Sequence, residues 1–314
     1  MLTHVLDILD IVDDPTASGA AVVAALRTKA GRYADDADIT STTVTGEKGS
    51  TDFVTVRIPG SRGKAAGGDA PTLGVVGRLG GLGARPQLIG YVSDGDGATS
   101  ALALAAKLLQ MLDRGDQLPG DVVVGTHVCP TAPTRPHDPV PFMDSPVGME
   151  AMNANEVLPE MDAIVSIDTT KGNRVINHRG IAISPTVRQG YILPVSPDLV
   201  ATYETVCGIT AQVFPLSTQD ITPYSNGLRH LNSILQPAVA ADVPVLGVAL
   251  TTVTAVAGSA TGASHETDIA LAAGYALEVA KRFGSGALRF HDEDEFARLV
   301  ELYGPATHLQ TAGS

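Results

Sequence analysis

The sequence contains no tryptophan, and phenylalanine and tyrosine bring the aromatic share to only 4%. Its core cannot rest on large rings and must be built from Ala, Val, Leu and Ile at high packing density. Cysteine is almost as scarce. Cys129 and Cys207 are the only two, too few for a disulfide framework, which points to a reducing compartment. Positive charge is the third deficit: 21 Lys and Arg face 34 Asp and Glu, for a net charge of −13. Such a surface repels phosphate backbones and anionic lipid, so neither nucleic acid nor a membrane is an expected partner. No apolar run reaches the roughly 18 residues of a bilayer span without Gly, Pro or charge. The N-terminal MLTHVLDILDIVDDP carries acids through its apolar stretch and has no basic n-region, so neither a secretory signal nor an anchor is expected there. A cytoplasmic protein acting on small molecules or peptides is the expectation.

What is present is apolar material in the right amount. Hydrophobic residues make up 44% and charged residues 18% of 314, enough for one sizeable α/β domain over 1–314. Residues 1–35 predict N-terminal helices: Leu2, Val5, Leu6, Leu9 and Val12 recur at helical spacing up to Pro15, and Val22, Val23 and Leu26 continue beyond it. Strands are predicted over 40–45 and 52–58, then 73–76 and 89–92, with the Gly-rich SRGKAAGGDA (61–70) as a loop between the two pairs. An Ala- and Leu-rich helix over 98–112 is apolar nearly all round and is therefore buried. The runs 121–126 and 163–167 lack alternation, as central strands do. A helix near 197–207, a strand over 212–216, a helix near 227–240, a strand over 244–249 and a long helix over 266–283 follow, before an acidic amphipathic tail (285–314). Segment 127–160 stands apart. Pro130, Pro133, Pro136, Pro139 and Pro141 forbid helix and ladder alike. So long an irregular stretch is expected to be functional, and its part 127–143 is expected to wall the site. Alternating strands and helices predict a mostly parallel mixed sheet with helices on both faces.

In such a sheet ligands bind beyond the carboxyl ends of the strands. The residues that follow each apolar run are Asp94 and Asp96, then His127 and Cys129, then Asp168 to Lys171, then Asp220, and finally His265; together they predict one polar rim. Cys129 reads as a small buried filler, a soft metal ligand or a thiolate nucleophile. His127 reads as a ligand, a general base or a structural histidine. His137 and Asp138, boxed by Pro136 and Pro139, either join the rim or cap a turn. Lys171, Asn173, Arg174, His178 and Arg179 gather cations in an acidic chain, as a solvated loop or as a cradle for a substrate carboxylate. TPYSNGLRHLNS adds Tyr224 and Asn226 to the substrate-facing candidates. RLGGLG has no Gly-x-Gly-x-x-Gly spacing, and neither a P-loop nor a Gly-x-Ser-x-Gly elbow occurs.

The order of Asp94 before a Gly-bearing turn and an Ala/Leu helix, LPGDVVVGT, AIVSIDTT, STQD, ADVPVLGVAL and ASHETD resembles the co-catalytic zinc aminopeptidases and related carboxypeptidases over about 70–285. The resemblance implies a three-layer sandwich and a metal held by Asp94 (with Asp96 as its competitor), Asp168 and His265. It also carries two departures. The His-x-Asp segment of that clan falls at Arg78-Leu79-Gly80, and its Glu-Glu pair falls near Pro130-Thr131. A second resemblance runs nearly end to end: GEKGSTDF, GRLGGLGARP, SDGDGA, THVCPTAPTRPHDPVPFM, SIDTTKGNRVINHRG, TPYSNGL, NSILQPA and GASHE are similar to a bacterial family known only as a domain of unknown function.

The expected function is a metal-assisted hydrolase of an amide or peptide bond in a small peptide or amino-acid derivative. One zinc on Asp94, Asp168 and His265 would polarise the carbonyl. His127 or the His137–Asp138 pair would move the proton, with Cys129 beside them. Arg78, Lys171, Asn173, Arg179, Asp220, Tyr224 and Asn226 would face the substrate. Arg78, in the place of a zinc-binding histidine, limits the site to a single ion. The alternatives are a non-catalytic small-molecule or peptide binder and a metal-free hydrolase that uses Cys129. A homo-oligomer is expected by analogy.

Overall fold

The computed structural model describes residues 1–78, 91–136, 142–256 and 263–313, leaving aside the side chains of Arg135 and Phe142. Helices α1 (Leu2–Val12) and α2 (Gly19–Ala30) open the chain, the second capped by Ser18, whose hydroxyl accepts the Ala21 N–H at 3.2 Å. Strands β1 (Asp38–Gly46) and β2 (Gly49–Ile58) form a hairpin closed by Glu47 and Lys48, and β3 (Leu73–Gly77) follows. Then come α3 (Asp96–Asp113), β4 (Val122–Val128), a small ribbon of β5 (Thr134–Arg135) and β6 (Phe142–Met143), and α4 (Met149–Glu156). Strands β7 (Ala163–Thr169), β8 (Gly180–Arg188) and β9 (Tyr191–Ile192) lead to α5 (Pro197–Cys207) and the short α6 (Pro237–Ala240). The described chain ends with β10 (Val245–Thr251), α7 (Glu266–Gly284) and α8 (Glu293–Tyr303).

Eight strands form one sheet in the order β1-β2-β4-β3-β7-β10-β8-β9. Its centre, β4-β3-β7-β10, is parallel, and antiparallel wings flank it on both sides. Every residue of β3, β4 and β10 is buried, which explains their unbroken apolar character. On one face α1, α2, α3, α5 and α7 enclose the larger core around Leu102, Leu104, Val165, Val248 and Tyr275. On the other face the layer is thinner: α4, α6 and irregular chain pack on Val76, Ile164, Phe214, Ile234 and Leu235. No helix among the described residues is long and apolar enough to cross a membrane.

Four expectations change. Beyond the polar stretch lies a full strand, β8, although Pro185 interrupts its run; the β8–β10 register shifts between Leu246 and Val248, a bulge that leaves Ser184 and Pro185 out of the ladder. The strand expected over 212–216 is reduced to a single bridge between Val213 and Ile183. The helix expected near 227–240 forms only at Pro237–Ala240, because Pro237 occupies the first helical turn and sets where the helix begins. Segment 127–160, expected to be irregular throughout, contains the ribbon and α4. The strand expected over 89–92 lies largely outside the described residues.

Two glycines bring the site together. A Cβ on Gly77 would meet the Gly97 carbonyl at 2.6 Å, and one on Gly97 would meet the Ile167 carbonyl at 2.5 Å and the Asp168 Cα at 3.2 Å. The first turn of α3 therefore rests directly on the ends of β3 and β7. Gly97→Ala is expected to destabilise the fold by about 2 kcal/mol through overpacking against backbone, whereas Gly148→Ala, where a Cβ meets nothing within 4 Å, should be near neutral. Urea denaturation of the two variants checks this; equal midpoints would refute it.

Candidate active site

A cavity of about 1120 Å³ opens at the carboxyl ends of β4 and β7. The β1–β2 hairpin end, the stretch around 143–149 and the loop around 228–233 wall it, and Asp94, His127, Thr169, Thr170 and Lys171 reach it from the strand ends. Met143, Val147, Met149 and Met152 make much of one side apolar.

Beneath the cavity a chain of buried charges begins at Arg78, the residue after β3. Its side chain is 0% exposed, and its backbone N–H donates to the Ile167 carbonyl at 2.9 Å. Its Nη1 donates to Glu156 Oε2 at 2.6 Å, its Nη2 lies against Met149 Sδ, and its Nε has no partner. The other Glu156 oxygen, Oε1, sits 2.7 Å from His127 Nδ1. Paired with a guanidinium that is always charged, Glu156 is an acceptor only. His127 Nδ1 must then carry the proton and donate, which leaves the Nε2 lone pair available; no described residue bonds Nε2. The Phe53 ring, cross-strand from His127, packs on the imidazole with centroids 5.2 Å apart.

The acids on the rim differ in their partners. Asp168 accepts the Thr169 N–H at Oδ1 at 2.7 Å and the Ser233 hydroxyl at Oδ2. Burial pushes it up to about 6, against the lowering effect of Ser233 and Arg78. Asp96 takes Lys171 Nζ at 3.2 Å on one oxygen and the Ser264 hydroxyl at 2.6 Å on the other; burial still raises it to about 7. Asp94 accepts no hydrogen bond from any described residue. Burial first, then the nearby Asp168 and Asp96 carboxylates, push it up to about 7, with Lys171 opposing. Tyr224 lines the cavity and is set edge-on to His230 with ring centroids 4.6 Å apart.

Of the residues expected from the sequence, Asp94, His127, Cys129, Lys171, Asn173 and Tyr224 line this cavity, and Arg78, Asp96 and Asp168 are joined to it from below. Lys171 is committed to Asp96. Asn173 is held by an Asx turn, its Oδ1 accepting the Val175 and Ile176 N–H groups at 2.8 Å each. Burial raises the Cys129 thiol to about 11, so it is protonated at neutral pH and behaves as filler. Arg179 is exposed outside the lining. Asp220 is fully used by backbone and Ser217: Oδ2 accepts from Ser217 at 2.9 and 2.8 Å, and Oδ1 from the Leu231 N–H at 2.6 Å. Asn226 closes its own loop through Thr222 and Leu228. His137 and Asp138 lie outside the described residues. His265 is half exposed at the start of α7, with Nδ1 3.4 Å from Asp268 Oδ2, and does not line the cavity.

Two residues of the site escaped the sequence reading. Glu156 ends the polar helical run MEAMNANE, and Ser233 sits in NSILQPA; each needs a partner distant in sequence before its burial makes sense. The expected zinc set does not assemble either. Among the described residues, no three His, Cys, Asp or Glu side chains are grouped to hold an ion. Asp168 and Asp96 each have both oxygens engaged by hydrogen bonds, and His265 stands half exposed outside the cavity lining, so the expected donors do not converge on one zinc ion.

The family described as "Protein of unknown function (DUF1177)" matches residues 42–313. No curated protein matches the chain in sequence. Among solved structures, the glutaminyl cyclase of an Acidobacteriales bacterium superposes with a TM-score of 0.53 at 12% identity, over 91% of this chain and 94% of that one. The Porphyromonas gingivalis glutaminyl cyclase gives 0.52 at 11% identity, over 91% and 97%. The Legionella pneumophila aminopeptidase LapA gives 0.49 at 14%, over 90% and 72%. The two cyclases show the three-layer α/β fold predicted from the sequence.

Asp94 generates a pH prediction. A carboxyl whose folded pKa lies above its unfolded one contributes stability that is complete below the unfolded pKa and is lost as pH rises through the folded value. For Asp94 that window runs from about pH 4 to its folded value of about 7. Asp94→Asn cannot ionise, so its melting temperature should match the wild type near pH 4 and exceed it by pH 8. A gap that stays constant with pH, or closes as pH rises, would contradict the assignment.

Proposed function

The chain belongs to the DUF1177 family, so its activity must be argued from the site, and we propose that it is an enzyme that opens or rearranges an amide bond in a small peptide or amino-acid derivative. One observation carries this reading. The Glu156–His127 pair leaves an imidazole Nε2 that no described residue bonds, at the same cavity where Asp94 offers a buried carboxylate that accepts no hydrogen bond from any described residue. His127 is the general base of the reaction. Its Nε2 takes the proton of the attacking nucleophile, a water or the substrate's own amine, as the bond to the carbonyl carbon forms. The same proton passes to the departing nitrogen as the C–N bond breaks. Glu156 holds the ring in place and steadies its positive charge while the proton resides there. Asp94 binds an N–H-bearing or cationic group of the substrate, and the methionine-lined wall takes an apolar side chain. The fold shared with glutaminyl cyclases supports amide chemistry on this scaffold without assigning a substrate. No step is routed through zinc, because the donors present do not fit it. Cytoplasmic location and a homo-oligomer belong to the same proposal; Leu2 and Leu6, exposed by 42% and 47% one turn apart on α1, support the latter.

A panel of aminoacyl 4-nitroanilides and glutaminyl-terminated peptides, followed by absorbance and mass spectrometry, tests the reading. His127→Ala is expected to lower kcat by about 10²–10⁴-fold with the melting transition preserved, while Cys129→Ser keeps most of the activity. Full activity in His127→Ala would refute the role of the imidazole. Tight binding without turnover by the wild type would replace the enzyme with a receptor.

A further inference from the structure

A divalent ion in a buried acidic cluster needs three or four lone pairs converging on one point, with nothing positive in the way. This cluster meets neither condition. Each acid but one already has a partner on both oxygens: Glu156 from Arg78 and His127, Asp96 from Lys171 and Ser264, Asp168 from Ser233 and the Thr169 N–H. The two cations are sealed in, with side chains 0% exposed for Arg78 and 4% for Lys171. Arg78 follows β3, the strand between β4 and β7, and is thus central among the acids. A guanidinium cannot lose its proton or donate a lone pair to a metal, and it repels a dication brought close to it in a poorly screened interior.

We infer that Arg78, Lys171 and Ser233 occupy the places around these acids that a metal ion would otherwise fill, so that the site is complete without one. Arg78 is then a positioning residue. It orients Glu156, and Glu156 in turn fixes His127, without Arg78 lining the cavity. Lys171 orients Asp96 in the same way, and the Ser233 hydroxyl closes the Asp168 oxygen that faces it. The inference concerns what the cluster binds and stands whether or not the proposed amide chemistry is correct.

The experiment is a metal titration of the intact chain. Wild-type protein, dialysed against buffer, is analysed for metal content and titrated with Zn²⁺ by calorimetry and with Co²⁺ by visible absorption. Its melting temperature is read with zinc and with a chelator. The expected result is no stoichiometric metal, no saturable site for either ion and a melting temperature that neither reagent moves. Arg78→Gln removes the sealed cation and keeps hydrogen-bonding capacity. It should gain affinity for Zn²⁺, seen as a zinc-dependent rise in melting temperature that the wild type lacks. One metal per chain retained by the wild type and lost from Asp94→Asn/Asp168→Asn overturns the inference. So does a folded Arg78→Gln with no gain, because the guanidinium is then not what keeps an ion out. Should Arg78→Gln fail to fold, the wild-type titration decides alone.

Discussion

Glu156 divides its carboxylate between Arg78 and His127, and the rest of the site depends on that division. The acid is donated by α4, the guanidinium by the end of β3 and the imidazole by β4, so a helix from one layer is pinned to two neighbouring central strands by charge as well as by packing. Such a contact is exacting. Two ions taken out of water recover their desolvation only when geometry is good and further hydrogen bonds complete them, and here the second Glu156 oxygen is completed by a group with a chemical use. Removing one partner would leave the other buried and unpaired, at a cost of about 3–5 kcal/mol. The contact that holds the layers together is thus the contact that sets which imidazole nitrogen is free.

The backbone beneath this network has little latitude. The parallel centre of the sheet presents four strand ends on one side, and α3 begins at the crevice between β3 and β7, against Gly77, Gly97 and the Asp168 backbone. Asp94, Asp96, Arg78 and Asp168 are consequently near neighbours before any side chain is placed. Four acids and two permanent cations in that volume leave an excess of negative charge. The upward shifts of Asp94, Asp96 and Asp168 are the physical response: burial and mutual repulsion make protons, rather than water, the cheapest compensation.

Much of this was legible in the chain itself, and the illegible parts share a cause. Unbroken apolar runs such as VVVGTHV and AIVSID announce central strands, and polar residues near the ends of such runs, Asp94, His127, Cys129 and Lys171, line the cavity. β8 was hidden by Pro185, which a bulge accommodates. The 227–240 helix failed because a helical spacing of apolar residues there serves a loop packed against Phe214 and Ile164. Glu156 and Ser233 could not be read because their roles are relations: an acid in a short polar helix becomes informative only when a buried arginine from another layer meets it. Asp220 and Asn226 show the converse. Each looked available for a ligand, yet each is consumed by its own loop's backbone and hydroxyl groups.

Arg78 is where pattern and structure together say more than either does alone. In the sequence, Arg78 is only a cation at the head of RLGGLG. Buried without exposure and joined to Glu156, it is the fixed positive charge of the cluster. A guanidinium supplies that charge with fixed directions and no exchangeable ligands, so it can order acids but cannot activate a bound water as a metal does. Under the proposed chemistry the nucleophile is activated elsewhere, at the His127 Nε2, which no described residue bonds and whose ring Glu156, held by Arg78, orients. Arg78 at the end of β3 and the orientation of the ring on β4 are therefore two parts of one arrangement, joined through Glu156.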